Sequence, residues 1–466
     1  MKHLALHMIN KSEIETKARE FEIHTSNVQR DYVFGWLLFG LFTVSDLKDR
    51  IFLKGGNALR KGYLEQTRFS DDLDFGTPGD ISPDVLMAEF QKVCLFIETN
   101  AGVTFRPDEN RIKEKFSATE APLDDLKVYE IRLYFCDFYG NSDHIRIKVS
   151  IDFTRYDKVL LPIQKTRLIH LYSDASAVQC EIRCMKLEEI IATKLKCILQ
   201  RQHAPDLFDY VHSVRRAGGT LNRREVVTTF IRKTIFDRNP HVAKEILLNT
   251  PFAFFREYWG KTIVCARQVI IEVEEAISLF TSDLADLFKD FPQNHYTSFE
   301  YFGAKTRVPI MEAGRSMTCL KICYQGFDRL VEPYSLRYLQ RRDGHETEYF
   351  YVYDRTGGKS GPGIKALVPK NLTAIEITPE KFEPRFPVEL SKAGEMPDDH
   401  YLFDPNKPSK PESKSRDRSG PQYVYRCSYC GKEFKRDRMA GTLNPHKNKN
   451  GYPCSGRHGI YVTTKW

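Results

Sequence analysis

Two acids spaced Asp72-x-Asp74 close the stretch Arg68-Phe-Ser-Asp-Asp-Leu-Asp-Phe75, which follows Phe52-Leu-Lys-Gly-Gly-Asn-Ala-Leu-Arg-Lys-Gly-Tyr63. Residues two apart in a strand share a face, so Asp72 and Asp74 point together and can hold a divalent metal. Gly55 and Gly56 end a hydrophobic run and let the backbone come close to a triphosphate, with Asn57 next in line. Arg68 and Ser70 share the face of the two acids if the strand begins that early. Two metals about 4 Å apart clamp the attacking and leaving oxygens of an in-line displacement, the chemistry of nucleotidyl transfer. A DxD pair by itself is more often two solvated acids at a strand end. The glycine pair upstream and a third acid downstream tip the balance towards chemistry.

The third acid is Asp152. In Ile145-Arg-Ile-Lys-Val-Ser-Ile-Asp-Phe153 the apolar Ile145, Ile147, Val149 and Ile151 alternate with Arg146, Lys148, Ser150 and Asp152. Such alternation predicts a half-buried strand with Asp152 facing away from the core. Further on, Leu187, Ile190, Ile191, Leu195, Ile198 and Leu199 recur at helical spacing, with Lys194 beside their stripe. Asp206 and Asp209 open the next helix, where the dipole favours acids. The plain alternatives are a snorkelling surface lysine and two first-turn acids.

The elements that must position these groups belong to a chain of 466 residues, long enough for two or three domains. With 41% hydrophobic and 28% charged residues it reads as ordinary soluble protein. No apolar run reaches the ~18 residues of a membrane span. The longest, Tyr32–Val44, is expected to be a buried helix leading into the glycine loop. Met1–His7 lacks a signal-peptide core, and singly scattered cysteines such as Cys94, Cys136, Cys197 and Cys265 read as reduced core thiols in a cytoplasmic protein.

The net charge of +8 is unevenly spread. From Asp404 onward there are fourteen Lys and Arg against five Asp and Glu, a tail of +9 on a near-neutral body. A basic tail suits nucleic acid. Within it, Cys427, Cys430, His446 and Cys454 are spaced Cys-x2-Cys-x15-His-x7-Cys. Four such ligands in a segment too short for a core predict a structural zinc knuckle, with Gly431 in its turn and His458 as an alternative to Cys454. Lys432, Lys435, Arg436 and Arg438, interleaved with Tyr429 and Phe434, suit phosphate contact and base stacking.

Between these ends, residues 216–294 are helical by pattern, with apolar spacing over Ile263–Phe280 and Ser282–Phe291. Residues 295–390 lose helical periodicity. Arg329–Tyr338, Glu348–Asp354, Gly363–Val368 and Leu372–Ile377 read as short strands of a small barrel. The expected fold class is therefore α+β and multidomain. Residues 1–294 would form the transferase lobe with a helical C-terminal part, 295–392 a β-barrel, 393–422 a flexible linker and 423–466 the zinc-binding module.

Over residues ~20–215 the chain resembles the AbiEii/AbiGii-type nucleotidyltransferase toxins. The family's "KGGTAL…RxSxDLDF" block corresponds to Phe52–Phe75, its strand-borne acid to Asp152, and its "E…K…R…RDxxD" block to the Lys194–Asp209 region. Asn57 replaces the usual Thr or Ser, and Pro205 the usual Arg. The resemblance implies Mg²⁺ (or Mn²⁺) on Asp72 and Asp74, Asp152 as assistant or base, Lys194 on the nucleotide phosphates, and Asp206 supporting Lys194 or the acceptor. Gly55, Gly56, Asn57, Arg68 and Ser70 would line the nucleotide. It further implies an NTP substrate, an RNA acceptor such as the tRNA 3′ end, and an antitoxin partner, in toxin–antitoxin or anti-phage defence.

Residues ~310–390 resemble a WYL domain, the Sm-like barrel that senses nucleic-acid or nucleotide ligands. The likeness rests on Tyr324, Arg329-Leu-Val-Glu-Pro-Tyr334 and Phe382-Glu-Pro384, with the name-giving triplet altered to Phe350-Tyr351-Val352. It implies Tyr324, Arg329 and Tyr351 as ligand-sensing residues, unless these aromatics only fill the barrel. Two other readings stay open: a nucleic-acid-binding regulator with a degenerate transferase lobe, and a transferase that modifies a protein side chain.

Overall fold

In this computed structural model the described residues are 9–115, 128–136, 138, 146–154, 159–234, 236, 240–291, 300–340, 346–357, 361–386, 388–390, 422–436, 438–447 and 453–465. They fall into two compact units, Met1–Phe403 and Asp404–Trp466.

Helix α1 (Lys11–Phe21) is N-capped by the Asn10 side chain, and α2 (Thr25–Thr43) is buried almost all round. The expected buried helix is thus α2. Strand β1 (Phe52–Lys54) runs into the short helix α3 (Gly55–Ala58) and a π-turn over Leu59–Tyr63. Strand β2 (Asp72–Gly76), helix α4 (Pro83–Ala101), and strands β3 (Arg111–Lys115), β4 (Val128–Cys136), β5 (Arg146–Thr154), β6 (Gln164–Arg167) and β7 (Glu181–Cys184) follow. The seven strands form one mixed sheet in the order β3-β4-β5-β2-β1-β7-β6. β2 begins at Asp72, so Arg68 and Ser70 are not on it; the loop before the strand carries them.

Alternation decides the two faces of this sheet. Leu53, Leu73, Phe75, Ile131, Ile151 and Phe153 are fully buried in one cluster with residues of α2 and α4. Each such side chain contributes roughly 1.5–3 kcal/mol, and a one-residue slip would expose them all. The register is therefore strongly determined, and with it the placement of every polar side chain on the opposite face.

Six helices come next: α5 (Leu187–Gln200), α6 (Ala204–Ala217), α7 (Arg223–Arg232), α8 (Pro240–Leu248), α9 (Ala253–Thr262) and α10 (Val273–Leu287). The apolar spacing over Ile263–Phe280 does not yield one helix. Residues 263–272 hold only a 3-10 turn, Arg267–Val269. Their carbonyls serve elsewhere: Val264 accepts from the Phe69 N–H at 2.7 Å and Ile271 from Trp259 Nε1 at 2.7 Å. Pro205 sits in the first turn of α6, where its missing N–H removes no helical bond.

Residues 304–316 form a helix, α11 (Ala304–Ser316), where loss of helical periodicity is expected. Pro309 inside it and Gly314 near its end blur the pattern. Strands β8 (Thr318–Tyr324), β9 (Phe327–Gln340), β10 (Glu346–Asp354), β11 (Gly363–Leu367) and β12 (Leu372–Lys381) make an antiparallel sheet ordered β11-β10-β9-β8-β12 around its own apolar cluster. A 3-10 turn, Pro369–Asn371, links β11 to β12. Buried Arg307 of α11 ties this sheet to α5: its Nη2 donates to both Glu348 oxygens at 2.7 Å and its Nη1 to the Leu199 carbonyl at 3.1 Å.

The linker expected over 393–422 lies outside the described residues, except that Gln422 opens β13 (Gln422–Cys427). With β14 (Glu433–Arg436), β15 (His446–Lys447), β16 (Pro453–Cys454) and β17 (Gly459–Lys465) it forms the second unit, as a three-stranded sheet β14-β13-β17 and a separate β15–β16 pair. The buried cluster there is Tyr425, Cys427, Leu443 and Cys454, too small to stabilise a fold unaided. All eleven cysteines are free thiols, Cys94 buried and Cys136, Cys197 and Cys265 half-buried.

Candidate active site

The face opposite the core gathers the acids. β1 pairs antiparallel with β2, setting Lys54 opposite Asp74, and β2 pairs parallel with β5, setting Asp74 opposite Asp152. One carboxylate oxygen each from Asp72, Asp74 and Asp152 lie within 4.8 Å of one another. Burial first, and then the charges of Asp72 and Asp152, push the Asp74 carboxyl up to about 7, against the pull of Lys54 and Lys194. A cluster of negative charge that cannot comfortably ionise alone fits a divalent cation.

Glycine is required at Gly55 on two counts. Its φ is +70°, and a Cβ there would meet Asp74 Oδ2 at 2.1 Å. At Gly56 a Cβ would meet Arg68 Nη2 at 2.8 Å and Ser70 Oγ at 3.0 Å. The glycines thus make room for the site's own side chains. Asn57 is fully buried and donates through Nδ2 to the Asp72 carbonyl, so it braces the start of β2 instead of reaching out to a phosphate. Ser70 Oγ donates to Asp72 Oδ1 at 3.1 Å, fixing that carboxylate.

Behind the acids lies a buried ionic cluster. Arg68 makes a two-pronged bond to Asp209, both contacts at 2.8 Å. Lys194 Nζ sits 2.7 Å from Asp209 and 3.0 Å from Asp206, which Arg201 also engages at 2.8 Å. Burial alone would raise the Asp206 carboxyl; Arg201 and Lys194 outweigh it and hold the group far below the usual carboxylate range. Lys194 is buried, so it does not snorkel, and Arg68 and Lys194 are committed to aspartates that lock α5 and α6 onto the loop before β2. Asp209, expected as an acid at the helix start, lies beyond the first turn of α6 and is a buried ionic partner, and Arg201 is a partner that the sequence reading did not name. The i, i+3 spacing of Asp206 and Asp209 was the available signal.

The same loop is held from the other side by α2. Arg30 Nη1 donates to Asp71 at 2.6 Å. Asp31 accepts from Arg60 Nε at 2.6 Å and pairs with Lys61 at 2.9 Å, while Arg60 Nη1 reaches the Thr67 carbonyl at 2.9 Å. Nothing in their spacing announced these residues, because each contact joins distant segments.

The raised Asp74 carboxyl has a consequence for stability. Its folded value of about 7 exceeds the ordinary 3.8, so the folded state binds the extra proton in that window and stability falls as pH rises through it. In chelator, Asp74→Asn is expected to be more stable than the parent at about pH 8, with the gain shrinking to nothing towards pH 4, as read by urea midpoints. A constant difference at all pH values would contradict this.

In the second unit the four expected ligands converge: Cys427, Cys430, His446 and Cys454 each place one ligand atom within 4.8 Å of the others. Cys427 Sγ to Cys454 Sγ is 3.8 Å, matching the edge of a tetrahedron with bonds of about 2.3 Å and excluding a disulfide. Cys430 Sγ lies 3.4 Å from His446 Nε2, and His446 Nδ1 is 3.0 Å from the Asn444 carbonyl, which orients the ring. Cys454, not His458, completes the set. Gly431 has φ +69° and closes the CxxC turn by donating to the Cys427 carbonyl at 3.0 Å. The Cys430 N–H, with that of Tyr429, pulls the Cys427 thiol down to about 6. Chelation is expected to abolish amide-exchange protection in 422–465 while α2 and β2 keep theirs, since structural zinc supplies folding free energy of ~10 kcal/mol. Unchanged protection in both units would refute a metal-dependent fold.

In the five-stranded sheet, Arg329 pairs with buried Asp354 at 2.7 Å and lies over the Tyr324 ring at 5.4 Å. Tyr351 is buried, beside Tyr349 and within the fields of Arg337 and Glu389. The fold brings Arg329 and Tyr324 together.

The pattern of the AbiEii nucleotidyl transferase toxins of type IV toxin–antitoxin systems matches residues 36–291, more than half the chain. The chain belongs to the AbiEii family. This AbiEii protein is therefore a nucleotidyltransferase of the toxin–antitoxin class, which implies an NTP substrate and a cognate antitoxin. Among solved structures it is similar to MenT4, a nucleotidyltransferase toxin from Mycobacterium tuberculosis H37Rv, at 19% identity and a TM-score of 0.36, over 60% of this chain and 90% of MenT4. It is also similar to the proteasome accessory factor PafBC of Arthrobacter aurescens, at 12% identity and a TM-score of 0.15, over 68% of this chain and 55% of that one. No curated protein matches. No helix among the described residues is long and apolar enough to cross a membrane.

Proposed function

We propose that this protein transfers a nucleotidyl group from an NTP to RNA, at the tRNA 3′ end. The convergence of Asp72, Asp74 and Asp152 within 4.8 Å carries the reading. The acceptor hydroxyl oxygen bonds to the α-phosphorus, the bond to the β-phosphate oxygen breaks, and pyrophosphate leaves. Asp152, at the acceptor side of the cluster, takes the hydroxyl proton. Asp72 and Asp74 would hold Mg²⁺ (or Mn²⁺), which supplies shielding of the charge that develops on the phosphoryl oxygens. Gly55, Gly56 and Ser70 shape the nucleotide side. Arg68, Asn57, Lys194 and Asp206 position these groups from behind.

The remaining modules serve this reaction. Residues 1–294 form the transferase. Residues 295–392, with their 3-10 link between the last two strands, form an Sm-like WYL barrel that senses a nucleotide or nucleic-acid ligand near Arg329 and Tyr324. Residues 423–466 form a zinc-bound knuckle whose Lys432, Lys435, Arg436 and Arg438 recruit RNA. The outcome is growth arrest, in toxin–antitoxin function or anti-phage defence.

The test uses purified protein, Mg²⁺, each α-³²P-labelled NTP in turn and total bacterial RNA. Label in a tRNA-sized band is the expected result. Label on protein would move the acceptor to a side chain. No label in either fraction, with RNA still bound, would favour a binding regulator.

A further inference from the structure

The charged face does not stop at the three acids. Asp152 on β5 stands opposite Glu130 on β4, and Glu130 opposite Lys113 on β3. In the neighbouring row Asp72 aligns through Ser150 with Arg132 and then Arg111. Their strand neighbours Ile112 and Ile131 pack into the core, so Arg111, Lys113 and Arg132 share the face of the acids. At about 4.8 Å per strand they start one strand beyond Asp152 and reach roughly 10 Å from it.

Arg111 and Lys113 are exposed, and the Arg132 side chain is 35% exposed. Arg132 Nη2 bonds both oxygens of Glu130 at 2.9 Å, which neutralises that carboxylate. Arg111 Nη1 is anchored on the Asp108 and Asn110 carbonyls, both at 2.9 Å, so its guanidinium is held on the surface. Cations on an edge strand can simply discourage edge pairing. Edge protection does not account for their place on the face of the acids. There Arg132, directly opposite Arg111, is balanced by Glu130, so the open positive charge of the strip comes from Arg111 and Lys113.

We propose that Arg111, Lys113 and Arg132 hold the phosphate backbone of the nucleic-acid acceptor, delivering its hydroxyl to the acids from the Asp152 side. This rests on the reading that the acceptor is RNA. It separates the two substrates across the sheet, the acceptor over β3–β4 and the nucleotide over β1 and its glycines.

The test compares the full chain with Arg111→Glu/Lys113→Glu, both surface positions. The KM for tRNA should rise about tenfold or more while the KM for NTP stays put, and the slope of log KM against log salt should fall by about 1.4 for two lost single-strand phosphate contacts. Arg111→Lys/Lys113→Arg should restore the parent values. An unchanged KM for tRNA, or both KM values rising together, would overturn the proposal. If the parent labels no RNA, the functional reading itself fails, and fluorescent-tRNA binding then judges the strip. Parent binding lost in the charge-reversed variant supports it; equal binding, or none by the parent, refutes it.

Discussion

Asp74→Asn is expected to lower nucleotidyl transfer by about a thousandfold or more, a loss of roughly 4 kcal/mol of transition-state stabilisation. Asp74 is the central member of the acid row, opposite Lys54 on one side and Asp152 on the other. Gly55 leaves the space that its carboxylate fills, since a Cβ there would meet Oδ2 at 2.1 Å. Asparagine keeps the shape and removes the charge that a metal needs. Since the same change is expected to stabilise the fold at neutral pH, lost activity cannot be blamed on unfolding. Turnover within tenfold of the parent, at saturating metal and NTP, would show that the three acids are not the reacting centre.

Asp209→Ala is expected to cost about 3–5 kcal/mol of stability, the usual penalty for stranding buried charge. Asp209 is 1% exposed and is the shared partner of Arg68 and Lys194. Its loss leaves two cations over one remaining carboxylate, Asp206, which Arg201 also claims. Replacing the pair instead of half of it, as Arg68→Met/Asp209→Leu, should recover most of that stability, because the desolvation cost disappears together with the attraction. Transfer should stay low in the repacked variant, since the loop carrying Ser70 loses its anchor to α6. Denaturant midpoints decide the first point and labelled-NTP turnover the second. A cost below ~1 kcal/mol for Asp209→Ala would mean that the cluster is hydrated and weak.

Local periodicity made much of this protein legible. The alternation around Asp152, the Asp72-x-Asp74 spacing after a glycine pair, the apolar stripe of α5 and the CxxC…His…Cys spacing each depend on neighbours a few residues away. In each case the backbone repeat sets which side chains share a face, and that repeat is written in the chain. The helix α11 was not legible, because Pro309 and Gly314 obscure the repeat while tertiary burial of Arg307 and Ile310 sustains the helix. The break at Ile263–Glu272 was hidden for the opposite reason: its apolar spacing is helical, but its carbonyls are taken by long-range hydrogen bonds from Phe69 and Trp259.

The roles within the site divide along the same line. Sequence by itself determined which acids and which three of the zinc-type ligands, Cys427, Cys430 and His446, come together, since residue type and strand or turn geometry suffice for that; the structure chose Cys454 over His458 as the fourth. Only the tertiary structure decided that Arg68, Asn57 and Lys194 are turned inward, onto Asp209, the Asp72 carbonyl and Asp206. Only it brought Arg30, Asp31 and Arg60 to the loop before β2, and aligned Arg111, Lys113 and Arg132 with the acids. Whether a charged side chain meets solvent or a buried partner depends on what the fold packs against it, and that partner lies tens to hundreds of residues away along the chain.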